Sequence, residues 1–337
     1  MSALKLSFYG FCIEIKCNDA GTLEAIKRDF SFFVTGQGNP EALFEVFVEL
    51  PDYKELPSVK ASFYTPRNIC YKYNKLSFID YFGKGLTIID DQKNNYRIYC
   101  PESQLRHEIT FLSILSLVGQ NLDSRKIHRV HGLGIETGGK AVLILLPSGG
   151  GKTTLLLELL KAEGIKLISE DSPLVNRFGQ ILPFPLRVGA SYSDKPQEIP
   201  ADYLHLIERM EFGPKYVIDI DYFADKISRD VLTPQVILCG IRSLGMESKI
   251  VPLSKYKALG EFIKNSVIGV GLYQGLEFLL QQGFTGLLKK SGVILSRFRN
   301  ACKVISGSQT YLFIVGYDKN KNVETLLKFL TKYKDKL

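Results

Sequence analysis

The chain has 337 residues, 45% hydrophobic and 23% charged, a globular composition long enough for two domains with separate cores. That excludes a disordered tail, a collagen and a disulfide-stapled miniprotein. No apolar run approaches the roughly 20 residues a bilayer crossing needs, so no membrane association is expected. The N-terminus lacks the basic region, apolar core and cleavage site of a signal peptide. Cysteines 12, 17, 70, 100, 239 and 302 sit mostly in apolar strand-like runs, with no CxxC pair. They read as buried thiols of a reducing, cytoplasmic compartment.

The net charge of +8 is uneven: the first 125 residues carry 14 basic against 15 acidic side chains, the rest 29 against 20. A basic second half suits a phosphate-bearing ligand or an acidic partner. The basic residues are dispersed, without an arginine-rich run, so nucleic-acid binding is not expected.

The first part reads as α+β. Residues 4–16 alternate as a strand, 22–33 form a helix and 42–50 another strand. Between 60 and 101 come five short β runs separated by turn signals, the pattern of an antiparallel meander. A helix follows over about 102–122, with Leu105, Ile109, Leu112 and Leu115 three or four positions apart. The turn residues after it mark a boundary, giving an N-terminal domain of 1–125 and a second of 126–337.

From there apolar strands alternate with helices, as in α/β folds. Residues 141–146 are an uninterrupted apolar run, as a buried parallel strand should be. Pro147-Ser148-Gly149-Gly150-Gly151 follows, then Lys152-Thr153-Thr154 and a helix over 152–162. Strand, glycine loop and helix is the layout of a phosphate-binding loop (P-loop). Glycines let backbone N–H groups turn toward phosphate oxygens, and the helix start adds positive potential. Ser148 to Thr154 would bind nucleotide, with Lys152 on the β- and γ-phosphates and the Thr153 hydroxyl on Mg²⁺. The strict pattern wants glycine where this chain has Leu146. A βα turn with an incidental GKT remains the alternative.

The next strand, 165–169, should run parallel to the first after a crossover, so its end reaches the same sheet edge. That end carries Glu170-Asp171. Two carboxylates there offer a Mg²⁺ contact and a base for an attacking hydroxyl, or else are solvated turn acids before Pro173.

These residues resemble the HPr kinase/phosphorylase family and its shorter kinase-like relatives. The motifs are His131-Gly132, PSGGGKTT at 147–154 and LISED at 167–171, with His131 and Lys152 21 positions apart. The similarity covers about 129 to the end of the chain. It implies an α/β P-loop domain of the HPr kinase and phosphoenolpyruvate carboxykinase-like kind behind a smaller α+β domain. It also implies a kinase using ATP or GTP with Mg²⁺ on a serine-type hydroxyl of a protein or peptide. Thr153 and Asp171 would support the metal, Glu170 stands where the family has its base, usually aspartate, and His131 would lie close to the reacting phosphoryl group. The glycine-rich segment associated with the phosphorylase reaction has no match.

Arg187, Arg297, Arg299 and Lys215 are weaker candidates for a phosphate clamp. Residues 191–214 suit either a substrate loop or a surface connection. Two other readings stay open: a nucleotide-binding regulatory module without phosphotransfer, and a kinase of a small hydroxylated metabolite. Homo-oligomer formation is also left open.

Overall fold

The computed structural model describes residues 2–147, 150–193, 195–210, 213–268 and 283–334. Its described residues form two compact units, one made of the chain up to Asn121 with Gly189–Tyr222, the other of Leu122–Val188 with the chain from Phe223 on. The whole is mixed α/β.

The first unit opens with an antiparallel hairpin, β1 (Ser2–Phe8) and β2 (Phe11–Cys17). A single strand over 4–16 was the expectation. The chain instead reverses at Tyr9 and Gly10, both with positive φ (53° and 85°), as a two-residue type I′ turn requires. Strands β3 (Ala42–Phe47), β4 (Ala61–Tyr64), β5 (Ile69–Tyr73), β6 (Leu76–Asp80), β7 (Leu86–Asp90) and β8 (Asn95–Tyr99) complete an eight-stranded sheet of order β1-β2-β3-β8-β7-β6-β5-β4. β4 to β8 form the expected antiparallel meander, and β3 joins it parallel to β2 and β8.

Two helices belong to this unit, α1 (Ala20–Asp29) and most of α2 (Ser103–Ser124). The rings of Phe8, Phe30 and Phe111 meet at centroid distances of 5.7 and 5.2 Å, tying both helices to β1. Asp19 caps α1 by accepting from the Thr22 N–H and hydroxyl. The buried Arg106 donates to Asp19, to Thr22 Oγ1 and to the carbonyls of Cys100 and Pro101.

The second unit contains β9 (His128–Arg129), β10 (Leu133–Thr137), β11 (Lys140–Leu145), α3 (Lys152–Leu159), β12 (Ile165–Ser169), β13 (Leu174–Val175) and β14 (Ile181–Leu182). A three-stranded sheet of β15 (Val188–Ser191), β16 (Leu204–Ile207) and β17 (Lys215–Ile218) follows and lies, apart from Val188, in the first unit. Residues 191–214 thus include a paired strand. The second unit resumes with β18 (Pro234–Arg242), β19 (Lys249–Pro252), α4 (Lys255–Ile263), a π-helical turn (Lys264–Ile268), α5 (Gly283–Gly307), β20 (Gln309–Val315) and α6 (Lys319–Lys334).

Its main sheet has the order β12-β10-β11-β18-β20-β19. β11, β18 and β20 are parallel, while β10 is antiparallel to both β11 and β12. β11 and β12 therefore point the same way with β10 between them, an insertion not anticipated from the sequence. Leu143 and Leu145 face a core shared with Phe262 of α4 and Val304 of α5. The alternate residues Val142 and Ile144 are equally buried, so β11 is covered on both faces. Among the described residues no helix is long and apolar enough to cross a membrane.

The Asp19 carboxyl is held at about 2 by the Thr22 hydroxyl, then by Arg106 and the Thr22 N–H, against a burial effect that raises it. A depressed folded value means that its contribution is complete above the unfolded value, near 3.8, and is lost as pH falls toward 2. Asp19→Asn should destabilise the protein at pH 7 by about 2–3 kcal/mol, because it leaves Arg106 buried without its counter-ion; partial exposure of Asp19 keeps the loss from being larger. Urea unfolding from pH 7 to 2 should show the difference from wild type shrinking over that acid range. A pH-independent difference would rule out the ion pair as its source.

Candidate functional site

β11 ends at Leu145, and Leu146 and Pro147 lead into the glycine loop. Ser148 and Gly149 lie outside the described residues. Beyond them the Gly150 N–H donates to the Pro147 carbonyl at 2.9 Å. Gly151 adopts φ 89°, a left-handed conformation that costs glycine little, and stands at the N-terminus of α3. Lys152 is the first helical residue, followed by Thr153 and Thr154, both half-buried.

The Lys152 ammonium is nearly buried, so its charge requires partners. It donates to His131 Nε2 at 2.9 Å and to the Leu146 carbonyl at 3.2 Å, and lies 3.7 Å from Asp171 Oδ1. An ammonium only donates, so Nε2 accepts and the ring proton sits on Nδ1, which faces Asp171 Oδ1 at 3.1 Å. Glu170 turns instead to Thr153 and accepts its hydroxyl in a short hydrogen bond.

The sheet order explains this convergence. β11 and β12 finish at one edge, bringing the Lys152 loop and the acidic pair together. Because β10 runs the other way, the residues just before it, His131 and Gly132, reach the same edge. Gly132 is needed for that approach: a Cβ there would lie 2.9 Å from Leu145 Cδ2 and 3.1 Å from the Ile144 carbonyl. Its N–H donates to the Asp171 carbonyl, and the Ser172 N–H donates to Ser169 Oγ, shaping the acidic turn.

Of the predicted site residues, His131, Lys152 and Asp171 are linked by these contacts, and Thr153 and Glu170 by a hydrogen bond of their own. Three of the four weaker candidates are not among these contacts. Arg297 forms an ion pair with Asp123, Arg299 is exposed, and Lys215 lies in the other unit with its side chain across Gly189, where a Cβ would sit 1.9 Å from Nζ. Two contributors were not found from sequence. The Asn265 carbonyl accepts the His131 N–H at 2.8 Å, and Gly240 of β18 makes room for Leu146, whose side chain is fully buried. A glycine inside an apolar strand run is a signal of such close approach.

Thr153, Glu170 and Asp171 are all oxygen donors, the chemistry magnesium takes. No group of three or more His, Cys, Asp and Glu among the described residues is arranged to hold a metal by itself. The donor set fits a cation that keeps waters and shares phosphate oxygens, the usual mode of Mg²⁺ in nucleotide sites.

No protein-family model matches this chain, and no curated protein matches it. Among solved structures it is similar to the HPr(Ser) kinase/phosphatase from Coxiella burnetii, at 11% identity and a TM-score of 0.27, over 62% of this chain and 99% of that one.

Leu146 and Gly240 should be energetically coupled, since a Cβ on Gly240 would fall 2.2 Å from Leu146 Cδ2 and 3.1 Å from the Leu145 carbonyl. Gly240→Ala should cost about 1–3 kcal/mol through overpacking, and Leu146→Ala about 2–5 kcal/mol through the cavity. In the double variant the new methyl enters the space Leu146 vacates. Its cost, read by urea unfolding, should fall short of the sum by about 1 kcal/mol or more. Strict additivity would mean that the two side chains do not compete for one space.

Proposed function

We propose that the protein is a P-loop kinase that transfers the γ-phosphoryl group of ATP or GTP to a Ser or Thr hydroxyl of a protein or peptide. The observation that carries the reading is the convergence of Lys152, His131 and Asp171 beside Thr153 and Glu170 at one sheet edge. The family motifs in the sequence point the same way.

In this reading the loop Ser148 to Thr154 would receive the phosphates, with the N-terminus of α3 adding positive potential there. Lys152 exchanges the Leu146 carbonyl and His131 for β- and γ-phosphate oxygens. Thr153 and Glu170 would hold a Mg²⁺ ion, whose charge would offset that of the phosphates. Thr153 donates its proton to Glu170, which leaves its oxygen lone pairs for a cation, so Glu170 belongs to the metal side. Asp171 is more exposed, and His131 Nδ1–H steadies its carboxylate. Asp171 therefore suits the task of accepting the proton as the acceptor oxygen bonds to the γ-phosphorus and the bridging oxygen leaves with its electron pair. This division is the reverse of the one the family resemblance implies for Glu170 and Asp171.

Transfer from labelled ATP to peptides and lysate proteins, with the phosphate located by mass spectrometry, tests the reading. Lys152→Ala should weaken nucleotide binding by about tenfold or more, with the fold intact by circular dichroism. Asp171→Asn should bind nucleotide nearly normally yet transfer about 10²–10⁴-fold more slowly. Glu170→Gln should raise the Mg²⁺ concentration needed for binding. Unchanged affinity in Lys152→Ala would remove the phosphate-loop assignment. A wild-type protein that binds nucleotide but labels no acceptor would be a switch rather than a kinase.

A further inference from the structure

Lying behind His131 is a ring of polar contacts that the proposed phosphoryl transfer does not use. His128 Nδ1 meets Asp123 Oδ1 at 2.8 Å. The other oxygen of Asp123 accepts from Arg297 Nη2 at 2.8 Å. Arg297 Nη1 donates to the Ser266 carbonyl at 3.0 Å. The preceding carbonyl, that of Asn265, accepts the His131 N–H at 2.8 Å. Residues 128–131 close the ring through the main chain.

Several features make this a brace rather than a chance network. His128 is 1% exposed and its second nitrogen meets Ser296 Oγ at 2.8 Å, so the imidazole is held at both ends. Asn265 and Ser266 belong to the π-helical turn, a rare geometry that recurs at functional sites. Here two successive carbonyls of that turn are taken by groups outside it. The planar guanidinium of Arg297 spans Asp123 and the Ser266 carbonyl with two separate nitrogens, Nη2 and Nη1, a fork that the compact lysine ammonium does not reproduce. Burial would push the Asp123 carboxyl up, but the hydrogen bond from His128 and the charge of Arg297 outweigh it and hold the carboxyl below its usual range. It is therefore ionised at neutral pH and keeps the ring closed.

We propose that Arg297 is a positioning residue for His131, acting through Asp123 and the π-helical turn to fix where the His131 backbone sits. The consequence follows from the side chain's two contacts. In this structure the His131 ring presents Nε2 to Lys152 and Nδ1–H to Asp171 simultaneously, over 2.9 and 3.1 Å. A displaced backbone would lengthen or misalign one or both of these contacts. The importance of this for catalysis rests on the kinase reading; the positioning itself does not.

The chain has only four histidines, so the imidazole nitrogens can be assigned by ¹⁵N NMR in the intact protein. In wild type the His131 signals should show the Nδ1-protonated tautomer. Arg297→Lys keeps a positive charge beside Asp123 but loses the bridge to Ser266. It should shift the His131 signals toward mixed tautomers or a changed Nδ1 environment. Val323→Ala, in the buried face of α6, supplies a destabilised control that should leave His131 unchanged. Should Arg297→Lys fail to fold, Asp123→Asn, which retains an acceptor but loses the charge, should produce the same His131 shift. His131 signals identical to wild type in the folded variant would overturn the proposal and leave Arg297 a stabilising residue only. If wild type phosphorylates an acceptor, Arg297→Lys should also lower kcat about tenfold or more with little change in nucleotide KM. A wild type without transfer would sink the kinase reading and leave the NMR comparison able to decide the positioning.

Discussion

A buried ammonium governs the architecture around the candidate site. Taking the Lys152 charge out of water is costly unless acceptors surround it. The acceptors come from three separated stretches of chain: the end of β11, the approach to β10 and the turn after β12. No local segment can supply all three. The strand order can, because β10 runs antiparallel between two strands whose ends already share an edge. The topology of the sheet and the solvation of one lysine are thus a single constraint. The glycine at 132 belongs to the same constraint, since any side chain there would hold His131 away from β11.

What could be read from the sequence follows the range of the interactions involved. The glycine loop, the helix that follows it and the acidic pair are written in contiguous residues, as is the antiparallel meander of the first unit. Other features were less legible. The Tyr9-Gly10 reversal lacks the Asn-Gly or Asp-Gly pair that usually marks a two-residue hairpin, so β1 and β2 look like one alternating strand. β10 reads as little more than a short apolar passage ahead of a stronger strand. Pairings between Leu146 and Gly240, or between His131 and Asn265, leave no periodic trace. They are settled by which strands and helices become neighbours after folding.

Leu146 illustrates how a departure from a loop pattern is absorbed. Where a glycine would leave space, the leucine fills it, and the adjacent parallel strand gives up a side chain at Gly240 to receive it. The main chain of Leu146 keeps its role, since its carbonyl still accepts from Lys152. The leucine changes what packs beneath the loop, while its carbonyl remains an acceptor for Lys152. A pattern read one residue at a time registers only the missing glycine; the compensating one lies on another strand, far along the chain.

Adjacent carboxylates would repel if they served one purpose at one place, and Glu170 and Asp171 avoid this by diverging. As the chain leaves β12, one side chain turns to a hydroxyl at the start of α3 and the other to an imidazole and an ammonium. Each carboxylate is thus compensated by a different donor, and the two are distinguished electrostatically before any ligand arrives. The Asp171 side faces the positive charge of Lys152, which phosphate would draw away on binding. The Glu170 side faces a neutral hydroxyl that can stay bonded to it while a cation approaches. Nucleotide binding would therefore change the surroundings of Asp171 far more than those of Glu170. That asymmetry is the physical basis for proposing Asp171 rather than Glu170 as the proton acceptor.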